Sequence, residues 1–457
     1  MINSLSSFVF SHPLIAEASA ENGSLVLAGV LLSLVVVYFA SKIGGEICAR
    51  LDLPSVLGEL VAGVVVGVSA LHLLVFPSAD FDASRSLIMQ ALQMTANLSP
   101  EALNSVFESQ SEVISVLAEI GVVILLFEIG LESDLKELIR VGYQAAVVAC
   151  VGVAVPFGLG TAGLMLLFHV PAIPAIFAGA ALTATSIGIT ARVLSEIQRI
   201  SSKEGQIIIG AAVLDDVLGI IVLAVVAGLA KTGEVQVSSV IYLIISAAIF
   251  LIGSLWLGRL VSPFFVTLVN ELKTRGQLLV SALIVAFILS DIAVVIQLEA
   301  ILGAFAAGLI LAETEKREEL EAQIKPIADM LVPVFFVVVG ARTDVSVLNP
   351  FDPANHEGLI MSGFLIVVAI LGKVVTGFTV FGQPGLNRLA IGVGMIPRGE
   401  VGLVFASFGA NTGILSDALQ AAIIVMVILT TFVAPPLLRL VFQREESAPV
   451  LSAPDDI

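Results

Sequence analysis

Residues 210–224 read GAAVLDDVLGIIVLA, with Asp215 and Asp216 side by side in the middle of the stretch. The apolar run around them, residues 204–229, is long enough to cross a bilayer. An ionised carboxylate at mid-membrane costs about 2.5–3.5 kcal/mol on insertion scales. Two adjacent carboxylates therefore indicate that something offsets this cost: a bound cation, a proton or a buried base.

The composition is that of a helical membrane protein. Of the 457 residues, 58% are hydrophobic and 13% are charged, whereas about a quarter are charged in soluble domains. Apolar runs of about 20 residues recur from Leu25 to Phe442, which predicts an all-α polytopic protein. A net charge of −17 argues against a nucleic-acid partner. Two cysteines and four histidines predict neither a metal site nor an enzyme, and we expect no cofactor.

The apolar pattern predicts thirteen crossings, which fall between a short N-terminal leader, residues 1–23, and a tail, residues 443–457. The one long connection is the loop 76–110, in which residues 87–94 are predicted to form a short interfacial helix. The crossings run near 24–43, 54–75, 111–131, 140–168, 171–198, 204–229, 237–262, 275–294, 298–313, 325–341, 358–381, 386–412 and 415–441.

The lysines and arginines predict the orientation. Sixteen of the 21 lie in the connections and tail on one side of the membrane, and three lie on the other. Because basic residues concentrate on the cytoplasmic side, we expect the N-terminus outside and the C-terminus in the cytoplasm. The remaining two, Lys373 and Arg398, lie inside predicted crossings and become candidates for function.

Two short motifs recur in the same order along the chain. Residues 57–63 (LGELVAG) resemble 302–308 (LGAFAAG), and residues 127–134 (FEIGLESD) resemble 337–344 (VVVGARTD). The offsets of 245 and 210 residues differ by 35, the length of the loop 76–110. The order predicts six crossings, one linker crossing and six more, in inverted 6+6 repeats. Such repeats are typical of transporters with a binding site at mid-membrane.

Lys373 lies about fifteen residues into the eleventh crossing, too deep to reach the interface comfortably. A buried lysine keeps its proton when a carboxylate holds it. Neighbouring residues on a helix point about 100° apart, so one of Asp215 and Asp216 is free to face this base while the other faces a cavity. The residues alone do not decide which acid does which.

Hydroxyls and helix breaks mark corresponding crossings of the two predicted halves. Thr183, Thr185 and Ser186 lie in the fifth crossing, and MIPRGEVG, residues 395–402, lies in its repeat partner, the twelfth. Interrupted helices in corresponding positions are typical of a transporter's ion site. We interpret Arg398 and Glu400, both within the second motif, as structural charges, because an arginine does not release its proton.

These motifs together resemble a known family. ALTATSIGITARVL (181–194), the LDDVLG core, Lys373 and MIPRGEVGL (395–403) are similar to the monovalent cation:proton antiporter-2 family, and most of all to its NapA-type sodium/proton antiporters. The resemblance covers essentially Leu25 to Phe442. Its potassium-efflux members carry a nucleotide-binding domain and lack the Asp-Asp pair, so we expect no such domain here.

The resemblance implies an NhaA/NapA-like fold that forms a homodimer. Crossings 1–3 and 8–10 (24–131 and 275–343) would be the dimerisation domain, crossings 4–6 and 11–13 (140–229 and 358–442) the moving core, and 237–267 the linker helix. It further implies that Asp216 binds the transported Na⁺, that Asp215 pairs with Lys373, and that Thr183, Thr185 and Ser186 lie at the crossover.

We therefore expect an electrogenic Na⁺/H⁺ antiporter that works by alternating access, with Li⁺ or K⁺ as alternative cations. The membrane would be a bacterial inner membrane, with a cyanobacterial plasma or thylakoid membrane among the options. The rivals are a K⁺/H⁺ antiporter, a sodium-coupled symporter for an organic anion in the same fold, a cation channel and a membrane sensor. The symporter would need a roomy substrate cavity.

Overall fold

The computed structural model is all-α, as predicted. It describes residues 13–77, 82–96, 98–232, 237–346, 349–351, 356–381, 385–399, 401–402, 405–406, 409 and 413–446. In chain order the α-helices are α1 Pro13–Arg50, α2 Ser55–Val66, α3 Leu87–Ala96, α4 Pro100–Glu132, α5 Leu135–Arg140, α6 Gly142–Leu167, α7 Ala172–Ala181, α8 Ile187–Glu196, α9 Lys203–Thr232, α10 Val237–Glu271, α11 Gln277–Val295, α12 Ala300–Ala312, α13 Arg317–Ala341, α14 His356–Gly377, α15 Arg388–Gly394 and α16 Asp417–Glu446.

Nine helices within the described ranges are long and apolar enough to cross a membrane, namely α1, α4, α6, α9, α10, α11, α13, α14 and α16. Three shorter apolar helices, α2, α7 and α12, have 10 to 17 residues each. Short apolar helices need neighbours to satisfy their ends inside a bilayer. The total of thirteen crossings stays a prediction.

Two predicted boundaries are wrong in the same direction, because helices begin earlier than expected. Helix α1 begins at Pro13, inside the predicted leader, of which residues 1–12 lie outside the described part. Helix α4 begins at Pro100, so residues 100–110 are helical. Ser99 caps this helix, since its hydroxyl accepts the N–H of Ala102 at 3.2 Å. A proline in the first turn after a serine cap is a strong helix start even in a polar stretch.

The chain divides into two compact units. The described residues of the smaller one fall within Met1–Ile47, Gly58–Gly121 and Leu331–Asp344, and the rest belong to the larger one. Both predicted core segments, 140–229 and 358–442, lie in the larger unit. The division into a core and a dimerisation domain stays a prediction.

The repeated motifs make matching contacts. In the smaller unit, a Cβ on Gly63 would lie 2.9 Å from the Cα of Gly340. In the larger unit, a Cβ on Gly308 would lie 2.8 Å from the Cα of Gly130. Each contact joins a glycine of the first motif type to one of the second, so α2 meets α13 as α12 meets α4. Such equivalence is what an inverted repeat requires, although the repeat itself stays a prediction.

Candidate functional site

Two helix breaks meet in the larger unit. Helices α7 and α8 are separated by residues 182–186, and α15 ends at Gly394 before the turn that carries Pro397. The backbone N–H of Ser186 donates to the carbonyl of Pro397 at 2.8 Å. Proline has no N–H of its own and cannot continue a helical ladder. Each break therefore supplies hydrogen-bond partners that the other lacks.

Threonine hydroxyls strengthen this junction. Thr185 Oγ1 donates to the carbonyl of Met395 at 3.3 Å, and Thr190 Oγ1 donates to that of Gly394 at 2.9 Å. These carbonyls lie at the end of α15, where helical partners run out. The hydroxyls of α8 thus satisfy the C-terminal end of the other broken helix.

Lys373 and Asp215 form a buried ion pair. Lys373 Nζ lies 3.2 Å from Oδ1 and 3.1 Å from Oδ2 of Asp215, and neither side chain is exposed to solvent. Gly152 on α6 makes room for the amine, since a Cβ there would lie 3.2 Å from Nζ. A buried pair of this kind is neutral as a whole, whereas either partner alone would be costly. The structure thus places Asp215, rather than Asp216, beside the lysine.

Asp216 faces a separate small cavity. Its side chain is 4% exposed and lines the cavity together with Thr185, Ser186, Gly399 and Ile301. The cavity volume of about 10 Å³ has room for roughly one water-sized sphere. A carboxylate with nearby hydroxyl and backbone oxygens is the kind of environment that a hard cation prefers. The neighbouring acids therefore have separate surroundings, one a base and the other a cavity.

The third predicted hydroxyl is oriented differently. Thr183 is fully buried, and its Oγ1 donates to the carbonyl of Ala180 at 2.8 Å. It is not among the residues that line the Asp216 cavity. Its predicted role as an ion ligand stays a prediction, whereas its hydroxyl caps the last turn of α7.

Arg398 is fully buried beside the pair. Its NH1 donates to the carbonyls of Met395 and Ile396 at 3.1 and 3.0 Å, and it interacts electrostatically with Asp215 and Lys373. Its Nε and NH2 have no hydrogen-bond partner among the residues that the structure describes. A cation at the end of a helix stabilises the exposed carbonyls there. The predicted partner in this motif, Glu400, lies outside the described residues.

Sequence reasoning did not identify Gly152, Ile301 or Gly399 as parts of the site. Gly399 had a signal, since it lies within the break motif, and a Cβ there would lie 2.9 Å from Ser186 Oγ. Ile301 had none, because an apolar residue in an apolar helix is unremarkable by sequence. Among the described residues, no group of three or more His, Cys, Asp or Glu side chains is arranged to hold a resident metal ion.

Comparison with known proteins gives a consistent result. The model of the family described as "Sodium/hydrogen exchanger, transmembrane" matches residues 24–444. The high-affinity Na⁺/H⁺ antiporter NhaS3 of Synechocystis sp. is 70% identical over 447 residues, which are 97% of each chain. The Na⁺/H⁺-K⁺ antiporter GerN of Bacillus cereus is 30% identical and is matched over 91% of this chain and 97% of its own.

A solved structure shares the fold. The sodium proton antiporter MjNhaP1 from Methanocaldococcus jannaschii at pH 8 superposes with a TM-score of 0.55 at 15% identity, over 94% of this chain and 97% of that one. The family match over almost the whole chain, together with the 70% identical relative, leads to one conclusion: this chain belongs to the sodium/hydrogen exchanger family.

Proposed function

We propose that this protein is a secondary active transporter that exchanges Na⁺ for H⁺ across a membrane by alternating access. The observation that supports this most directly is the Asp216 cavity, which combines one carboxylate, the Thr185 and Ser186 positions and space for about one water-sized sphere. Na⁺ and H⁺ compete there for the same carboxylate and the same space. The transported Na⁺ is a substrate, and the proposal needs no cofactor.

Charge explains why only a loaded site moves. The Asp215–Lys373 pair is neutral, so the charge of the site depends on Asp216. When Asp216 holds either Na⁺ or H⁺, that charge is cancelled, whereas a bare carboxylate is expensive to carry through a low-dielectric barrier. Each outward step of one ion is thereby coupled to an inward step of the other.

Electrogenic exchange is part of the proposal. If the Asp215–Lys373 pair opens during the cycle, the amine loses the carboxylate that holds its proton. Release of that proton together with the one on Asp216 would move two protons for one cation. Exchange that does not respond to an imposed membrane potential would contradict this stoichiometry.

K⁺/H⁺ exchange is the second candidate, and the printed name of GerN, a relative that carries K⁺ in its title, favours it. An organic-anion symporter is disfavoured, because a cavity of about 10 Å³ does not hold an organic acid. The relatives named above are antiporters, which agrees with a protein that is not an enzyme.

The surroundings of the transporter are also proposed. The distribution of lysine and arginine supports an external N-terminus and a cytoplasmic C-terminus. The Synechocystis relative supports a bacterial inner membrane, either plasma or thylakoid. We propose a homodimer in which the predicted dimerisation domain forms the interface, with no nucleotide-binding domain and no nucleic-acid partner.

The test is exchange in proteoliposomes with an internal pH dye, using Na⁺, Li⁺ and K⁺ in turn. Wild type should release protons on addition of Na⁺, with an apparent KM that rises as the pH falls because protons compete. Asp216→Asn should abolish exchange, whereas Asp291→Asn, at an exposed acid on α11, should retain it. Normal exchange by Asp216→Asn would refute the proposed site, and no Na⁺ response in wild type would refute the function.

A further inference from the structure

A second, larger cavity lies in the larger unit. Its volume is about 480 Å³, and it shares no lining residue with the cavity at Asp216. Four stretches of chain meet there: the end of α1, the start of α2, the end of α8 and the end of α16. This volume lies within the range of about 300–1,000 Å³ that is usual for small-molecule sites.

The acid in this cavity is already engaged. Glu196 accepts the backbone N–H of Ser55 at 2.9 Å and the hydroxyl of Ser55, and it pairs with Arg192 Nε at 3.3 Å. Its negative charge is therefore largely compensated within the protein. The positive charges of two lining residues, Arg199 and Arg439, exceed what remains.

Both arginines are held toward the cavity by weak or non-ionic contacts. The guanidinium of Arg199 lies 5.6 Å from the centroid of the Phe442 ring, an arrangement that fixes the plane of the cation. Arg439 NH2 lies 3.8 Å from Asp52, whose side chain is 92% exposed, so water screens that pair.

The backbone beneath Arg199 is rigid. Its N–H donates to the carbonyl of Leu194 at 2.8 Å, and its own carbonyl accepts the hydroxyl of Ser202 at 2.7 Å. Gly205 packs so closely that a Cβ there would overlap the Arg199 carbonyl. The arginine is thus mounted on a turn with little freedom to move, which lowers the entropic cost of binding a ligand.

We propose that this cavity binds a phosphate-bearing anion between Arg199 and Arg439. A guanidinium matches the geometry of a phosphate by donating two parallel hydrogen bonds. Basic pockets between membrane helices on the cytoplasmic side are suited to anionic headgroups. Because the volume exceeds that of a phosphate, the phosphate carries an organic group that packs against Phe442. Two sources share this chemistry, an anionic lipid headgroup and a soluble phosphate ester.

The experiment measures the apparent unfolding temperature of the purified full-length protein in a neutral detergent. The protein is titrated with phosphatidylglycerol in mixed micelles, with phosphatidylcholine as the zwitterionic control, and separately with glycerol 3-phosphate. The variants are Arg199→Gln, Arg439→Gln and their double. The charge-matched control is Arg140→Gln/Arg388→Gln, which removes two positive charges from residues that do not line the cavity.

Phosphatidylglycerol or glycerol 3-phosphate should stabilise wild type and the control equally. Each cavity substitution should raise the half-saturating concentration about tenfold, which corresponds to about 1.4 kcal/mol. Stabilisation by phosphatidylglycerol alone identifies a lipid, and stabilisation by glycerol 3-phosphate as well identifies a soluble ester. Should Arg199→Gln fail to fold, Arg199→Lys decides, since it keeps the charge but not the planar fork and should still weaken binding severalfold.

Two results would overturn the proposal. One is that neither phosphatidylglycerol nor glycerol 3-phosphate stabilises the wild-type protein beyond the effect of phosphatidylcholine. The other is that the cavity variants and the charge-matched control lose the same amount of stabilisation, which would identify a non-specific response to net charge.

Discussion

Replacing Lys373 by methionine would leave the Asp215 carboxylate buried without its partner. Both side chains are fully buried and 3.1 Å apart, so solvent does not screen the loss. Removing one member of such a pair costs about 3–5 kcal/mol. With an unfolding entropy of about 2.1 cal/mol/K per residue, the 457 residues give about 1 kcal/mol per degree. The apparent unfolding temperature should therefore fall by about 3–5 °C.

The double variant Asp215→Asn/Lys373→Met distinguishes a lost pair from a lost side chain. Removing both charges leaves no bare ion, and the double variant should be more stable than the sum of the two single changes predicts. We expect a coupling energy of at least about 1 kcal/mol, because the two groups are in direct contact. The assay is thermal unfolding in detergent followed by intrinsic fluorescence. Lys136→Met, at an exposed residue, is the control and should shift stability by less than about 0.5 kcal/mol.

Strict additivity of the two single substitutions would refute the reasoning. So would a Lys373→Met protein as stable as the control, because the carboxylate would then have another way to be compensated.

Three further predictions rest on close packing around the site. Gly377→Ala would place a methyl group against the first carbonyl of α15 and should destabilise the protein by about 1–3 kcal/mol, whereas Gly363→Ala on the same helix meets nothing within 4 Å and should be neutral or stabilising in thermal unfolding. Gly399→Ala would bring a methyl group 2.9 Å from Ser186 Oγ, and it should raise the apparent KM for Na⁺ in the dye assay; an unchanged KM would exclude this junction from ion binding. Ile301→Ala should enlarge the Asp216 cavity and weaken discrimination between Na⁺ and K⁺ by about fivefold, roughly 1 kcal/mol, and unchanged selectivity would contradict a role for cavity size.

The sequence could predict the chemistry of the site because that chemistry is expensive. Asp215, Asp216, Lys373 and Arg398 all lie in apolar segments, where each charge requires a partner. A search for charges at depth therefore finds the residues that matter. The helix breaks were equally visible, since proline, glycine and hydroxyl residues interrupt apolar runs at both positions.

The sequence could not predict what depends on rotation about a helix axis. Adjacent acids point in different directions, and only the neighbouring helices decide that Asp215 meets the amine and Asp216 the cavity. The same holds for Thr183, whose hydroxyl bonds its own helix. Apolar residues such as Ile301 carry no signal, because their role comes from where the backbone places them.

The early start of α4 had a readable cause that the apolar pattern concealed. Hydropathy alone places the third crossing at residues 111–131, whereas Ser99 and Pro100 mark a helix start eleven residues earlier. Capping residues and hydropathy report different things, the first where a helix begins and the second where lipid or core begins.

The small size of the chamber at Asp216 bears on how the membrane stays charged between turnovers. Protons travel rapidly through a protein along a file of linked water molecules, each passing a hydrogen to the next. A space that holds about one such molecule interrupts the file, so hydrogen crosses only when it rides on the carboxylate. The resting protein is accordingly an insulator toward protons, and the gradient that drives it does not drain through it.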